Sequence, residues 1–518
     1  MTRWAATLAV VCLFGFAGAV VAEEPPKAPA KEHGAEATAH ETPAVPKAEQ
    51  SVTEHTIKLA AALLKYKATA GTLIIRNDDD EPIAAMGYVA YTKDGVEASQ
   101  RPLMFAYNGG PGSSSIWLHM GALGPRRIVT TDAEPTPPPP YQTVDNQETV
   151  LDVTDLVMID PVGTGLSRAV GKAKDKDFWG VDQDIDSVAR FVVQYVNDNG
   201  RWNSPKYLLG ESYGTMRSAG LVDALQSKWN MAFNGVVLVS VFVDAKVDFT
   251  MAGNDIGYEM FAPSYAAIAW YHHLVNDAPP LDAFLAQARE FAAGPYAAAL
   301  AKGDALPDAE RKAAIASMAR LTGLSPSYLD KANLRVSEGE FTAELLREHA
   351  EVVGRLDARF TGVALDRLAQ EAHEDPQATA ISGAFTAAFL DYLHEDLKFG
   401  AGKTYKVEAE LWRDWDFKHK PPGFPFPLPG APNLCPDLAH AIAGNPALRV
   451  LVLNGYYDLA TPFFGTEYTM DHLGLEQKLR GNIEMKYFDA GHMMYLHPPS
   501  LAQFKAAVGG FIKATDRL

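Results

Sequence analysis

The sequence predicts an α/β fold: a mostly parallel central sheet flanked by helices, with a helical cap inserted before the last strands. Three observations carry this. Short apolar runs alternate with segments of helical periodicity through the first half of the chain. Residues 248–445 then read as largely Ala-rich helices, such as "LDAFLAQAREFAAGPYAAALAKG". Strand patterns return at 448–458 and 482–492 and need a sheet to join. One α/β core interrupted by an insertion satisfies all three, whereas two separate domains would leave the last two strands without partners.

The elements follow in order. "MTRWAATLAVVCLFGFAGAVVAEE" has a positive start, an apolar run and the small residues Val20 and Ala22, the pattern of a secretory signal over residues 1–22. An uncleaved anchor is the alternative, and Glu23 and Glu24 favour cleavage. Export would place the mature protein in a periplasm or in the medium. Residues 23–55, rich in Ala, Pro, Glu, Lys and His, read as a disordered linker whose His33 and His40 are solvated. The first part of the core is assigned to 56–247. Its strands are "GTLIIRN", "AAMGYVAYT", "PLMFAYN", "DLVMIDP", "KYLLG" and "GVVLVSV". Its clearest helix is "DQDIDSVARFVVQYVND", with Ile185, Val188, Val192 and Val196 at helical spacing. The second part, 446–518, holds "LRVLVLNGYYD", "NIEMKYFDAGH" and a closing helix around "LAQFKAAVGGFIKA".

Composition bounds the function. The chain has 518 residues, 47% hydrophobic, enough for a large core. A net charge of −18 makes nucleic acid a poor partner. No run after the signal is long enough to span a bilayer. Of two cysteines, Cys12 falls in the signal and Cys435 is left alone, so neither an intrachain disulfide nor a metal site is expected, and no cofactor.

The chemistry centres on "LLGESYGTMRS" (208–218). A serine hydroxyl needs a neighbouring base, and the base an orienting acid, to become nucleophilic. Gly210-Glu211-Ser212-Tyr213-Gly214 fits a tight strand-to-helix elbow that exposes Ser212 as the nucleophile. Acid and base should follow at the ends of late strands. Asp458 ends "VLVLNGYYD" and His492 follows "EMKYFDAG". Asp458 could otherwise cap the next helix, and His492 could be a satisfied loop histidine. Asp471, Asp489 and His497 are weaker rivals. The oxyanion of an acyl transfer needs N–H donors. Tyr213 follows the nucleophile, and "NGGPGSSS" (108–115) supplies a loop in which Gly109, Gly110 and Gly112 permit close approach. A plain Gly-Pro turn is the alternative for that loop.

Together "NGGPGSSS", "DPVGTGLS" (160–167), "GESYGT", Asp458 and "AGHMMYLHPP" resemble the serine carboxypeptidases, peptidase family S10 of the α/β-hydrolase superfamily. The resemblance covers roughly 60–247 and 446–518. It implies a Ser212–His492–Asp458 triad and an oxyanion hole from the N–H groups of Gly110 and Tyr213. It also implies a clamp of Asn108, the Gly109 N–H and Glu211 for the carboxylate of a peptide with a free C-terminus. A structural carboxylate at a helix start is the plainer role for Glu211. Four positions depart from the family pattern: Ala106 for Trp, Ser113 for a disulfide cysteine, Ala122 for a second Glu, and Thr461 for a pocket cysteine. Without that second Glu, Glu211 is expected to lack the like-charge neighbour that raises its pKa. The implied activity is release of C-terminal amino acids. An esterase or acyltransferase on the same scaffold, or an inactive binding protein, stays open, although no lesion in the triad is seen.

Overall fold

The computed structural model describes residues 45–60 and 62–517. The expected signal, and the linker up to residue 44, lie outside them. The central sheet is built from β1 (Gln50–Leu59), β2 (Ala62–Arg76), β3 (Pro82–Lys93), β4 (Leu103–Tyr107), β5 (Asp155–Ile159), β6 (Lys206–Ser212), β7 (Gly235–Val241), β8 (Arg449–Gly455) and β9 (Ile483–Phe488). Their spatial order is β1-β2-β3-β5-β4-β6-β7-β8-β9, with the short strand Arg168–Ala169 beside β3. The first three strands pair antiparallel, and β3 is antiparallel to β5. Every contact from β5 to β9 is parallel. This is the α/β-hydrolase arrangement.

The parallel strands read as unbroken apolar runs because both faces of the sheet are covered. All residues of β4 and of β7 are buried. Met104, Ala106, Leu209, Val237 and Val239 enter the core on one face. Phe105, Tyr107, Leu208, Val236 and Leu238 enter the core on the other. On that second face lies α1 (Val181–Asp198), which buries the Ile185, Val188, Val192 and Val196 stripe.

Two expectations about boundaries are corrected. The linker does not reach residue 55, because Gln50–Leu59 pairs residue for residue with β2. This outer strand buries little more than Ile57, so its own side chains carry almost no apolar signal, and β2 supplies the order. The interval 248–445 also divides differently from a single helical cap. Helices α3 (Asp255–Tyr271), α4 (Leu281–Phe291) and α5 (Asp308–Thr322) form their own apolar cluster with Phe341. By contrast α6 (Pro376–Asp391) buries Ile381, Phe385 and Phe389 in the main core, and α7 (Cys435–Gly444) buries Leu438 against the other face. A short hairpin, Glu351–Val353 with Thr361–Val363, adds strand to the interval.

Residues 404–434 form an irregular strap across the sheet's C-terminal edge, bridging at Ser113, Gly165, Gly180 and Asp244. His419 fastens it. Its Nδ1 meets Asp182 at 2.6 Å and its Nε2 meets Asp437 at 2.9 Å. Burial opposes a charge on this ring, but the two carboxylates outweigh it and push its pKa up to about 9. A folded pKa above the unfolded value of about 6.5 gives stability that is fully present below that value. It is lost as pH rises through about 9. The chemical-denaturation midpoint is therefore expected to fall across this window, and His419→Gln is expected to flatten the fall.

Candidate active site

The sheet delivers each candidate residue to the C-terminal ends of its strands. Asn108 follows β4, Ser212 ends β6, Asp458 lies just past β8, and His492 lies just past β9. Ser212 adopts φ 60°, ψ −129° and precedes α2 (Tyr213–Trp229). That backbone is strained for any residue with a Cβ. It persists because the elbow is packed on both sides: a Cβ on Gly210 would lie 2.1 Å from the Gly214 carbonyl oxygen. The glycines of the motif are thus a steric requirement of the turn.

A cavity of about 500 Å³ opens over this elbow. Asn108, Gly109, Gly110, Glu211, Ser212, Tyr213 and His492 all line it. Asp458 lies behind His492, fully buried. All eight residues singled out in the sequence therefore converge. Asp471 and Asp489 are exposed and away from the cavity. His497 sits at the start of α8 (Pro498–Thr515), its Nδ1 2.8 Å from Ser500 Oγ.

Asp458 has the contacts for both roles open to it. Its Oδ1 accepts from the N–H groups of Ala460 at 2.7 Å and Thr461 at 3.0 Å, as a turn-capping carboxylate does. Its Oδ2 faces His492 Nδ1 at 2.8 Å and accepts the Thr461 hydroxyl at 2.7 Å. Nδ1 then carries the proton, which leaves Nε2 as the basic nitrogen. Burial opposes a charged His492, but Asp458 and Glu211 prevail and its pKa is raised. Ser212 Oγ makes no hydrogen bond to His492 here; the two share the cavity wall. Such contacts often tighten only when substrate binds.

The candidate oxyanion loop, 108–115, lies directly on the elbow. A Cβ on Gly109 would come within 2.5 Å of Tyr213 N. Gly110 has φ +106°, a conformation that favours glycine. The loop is fixed from below by Arg217, whose Nη1 donates to the Asn108 carbonyl at 2.8 Å while its Nε donates to Asp184 at 2.7 Å.

Glu211 overturns one expectation. Its Oε1 accepts from Asn108 Nδ2 at 2.7 Å, and Oε2 is buried without a hydrogen bond. Burial lifts its pKa to about 7, with Asp458 adding to the rise. No second glutamate is needed. Ala122 is buried in the turn His119–Leu123, away from the cavity. The Tyr495 hydroxyl instead lies close to Glu211 and Asn108, without reaching hydrogen-bond geometry. Ala106 is sealed within the sheet.

Several supporting residues had no sequence signal. Thr461 was noted only as a departure from a family pattern, yet it holds Asp458. Asp357 accepts the Gly491 N–H at 3.0 Å beside His492. The Leu356 carbonyl accepts the His492 N–H at 2.6 Å. Only the partner's position in space marks these residues.

Fold and site define an α/β-hydrolase, a hydrolase of the serine type. Residues 65–284 match the serine carboxypeptidase (peptidase S10) family. Asn108 to Tyr213 fall inside this stretch; Asp458 and His492 lie beyond. No curated protein matches the chain. Solved structures similar to it include a proline iminopeptidase from Mycobacterium smegmatis, 16% identical, covering 90% of this chain and 99% of that one, TM-score 0.34. A lipase in an open form is 13% identical, covering 86% and 98%, TM-score 0.36. Est816, described as an N-acyl homoserine lactone degrading enzyme, is 14% identical, covering 85% and 100%, TM-score 0.34.

Proposed function

We propose that the protein is an exported serine carboxypeptidase that releases C-terminal amino acids from peptides through an acyl-enzyme. Ser212 Oγ attacks the scissile carbonyl carbon as His492 Nε2 takes its proton. Asp458 stabilises the imidazolium. The N–H groups of Gly110 and Tyr213 receive the oxyanion. The C–N bond then breaks, and His492 gives its proton to the departing amine. Water attacks the ester carbonyl, its proton passes to His492 and then to Ser212, and the shortened peptide leaves with a new carboxylate.

The observation that carries this reading is Glu211. A buried carboxyl with a pKa of about 7 sits next to the nucleophile, paired with an amide. While protonated it donates a hydrogen bond to a substrate carboxylate; once ionised it repels one. The kcat/KM for a free-acid dipeptide is expected to fall as pH rises through about 7, mainly through KM. Its C-terminal amide should show no such limb, and Glu211→Gln should remove the limb for the acid. The experiment compares a blocked dipeptide with its amide across pH. A strong preference for the acid supports the reading, and indifference between them contradicts it. Indifference would favour the esterase or acyltransferase reading.

A further inference from the structure

The cap side of the catalytic cavity carries a cation with no partner. Arg355 is exposed, lines the cavity, and its guanidinium makes no hydrogen bond or ion pair among the described residues. Most arginines among the described residues are engaged: Arg201, Arg217, Arg289, Arg335 and Arg359 each meet a carboxylate. The backbone under Arg355 is nonetheless held at both ends. Its N–H donates to Asp375 Oδ2 at 2.7 Å, and its carbonyl accepts the Leu459 N–H at 2.9 Å. Residue 355 is thus presented into the cleft from a fixed base with its charged head free.

Its place in the cleft follows from its neighbours. Leu356 holds the His492 backbone, and Leu459 follows the catalytic acid. The departing residue must take its proton from His492, so it lies on this side of the scissile bond. Its terminal carboxylate is already assigned to Asn108, Gly109 and Glu211. The remaining acidic group that such a residue can bring is a side chain.

We propose that Arg355 makes the enzyme selective for peptides ending in an acidic residue, pairing its guanidinium with the side-chain carboxylate of the amino acid being released. This rests on the carboxypeptidase reading. Other acids nearby do not occupy the arginine. Glu408 lines the same cavity on the strap, where its backbone bridges to Ser113, and its carboxylate makes no ion pair with Arg355. Asp248 is buried with neither oxygen hydrogen-bonded, and burial, with Asp458 and Asp244 adding to it and Arg355 opposing it, pushes its pKa well above the usual carboxylate range.

The test is steady-state release from blocked dipeptides ending in Glu, Gln or Lys, by the wild type, Arg355→Gln and Arg355→Glu. The wild type is expected to favour Glu over Gln by about fivefold, the worth of one partly exposed ion pair, and less so at high salt. Arg355→Gln should equalise the two. Arg355→Glu should turn the preference toward Lys, a gain that a misfolded variant could not show. An unchanged Glu-to-Gln ratio in Arg355→Gln overturns the proposal. So does an equal loss on both, which would place the guanidinium on the terminal carboxylate. If the wild type releases no residue from any of the peptides, the carboxypeptidase reading itself fails, and this inference with it.

Discussion

Ser212→Ala is expected to lower turnover of a blocked dipeptide by about 10⁴- to 10⁶-fold, the range seen when a triad serine is removed. The residual rate would come from the oxyanion donors and from binding, which the substitution leaves in place. The fold should be untouched. Alanine keeps the Cβ and therefore the same strain at φ 60°, ψ −129°. Ser212→Gly should be equally inactive yet more stable, by about 1 kcal/mol, because glycine relieves that strain. Rate assays and denaturant unfolding on the same preparations separate the two effects. A Ser212→Ala protein that is inactive but unstable would mean that the hydroxyl serves structure, not chemistry.

Asp458→Asn carries the second-largest effect, a loss of about 10⁴-fold in kcat. The carboxylate accepts four hydrogen bonds: two backbone N–H groups on Oδ1, and the Thr461 hydroxyl and His492 on Oδ2. An asparagine must aim its NH₂ at one of these sets. Toward His492, it forces the tautomer with the proton on Nε2, and the base is lost. Toward the backbone, donor faces donor and the turn is destabilised. Either orientation is harmful, so the kcat loss should come with a lower unfolding midpoint. That combination distinguishes Asp458 from an acid that merely caps a turn, whose loss would cost stability and leave kcat alone.

The fold was legible where the chain is apolar on both sides of a strand. Residues 235–241 and 103–107 announce themselves because helices cover both faces of the sheet there. Gln50–Leu59 did not, because the outer antiparallel strand is mostly solvated and takes its order from β2. The division of the insertion was hidden for a related reason. An Ala-rich helix such as Pro376–Asp391 looks the same whether it packs on its own cluster or on the main core. Within the site, Ser212, Asp458 and His492 were legible because each stands in a local motif at a strand end. The raised pKa of Glu211 was not. Ala122 in place of the family's second glutamate suggests an ordinary carboxylate, whereas the environment of Glu211 is built from β4, β6 and the loop after His492. Asp357, 134 positions from the Gly491 N–H it accepts, and Arg355 could be found only in three dimensions.

The central claim is that Ser212 is a nucleophile activated by His492 and Asp458. A fluorophosphonate tests it directly, since it phosphonylates a serine made nucleophilic by a neighbouring base and seated beside an oxyanion hole. Peptide mapping by mass spectrometry should find a single adduct, on the peptide containing Ser212, with labelling sharply slowed in Asp458→Asn. Absence of an adduct, or an adduct on another residue that persists in Ser212→Ala, would contradict the claim.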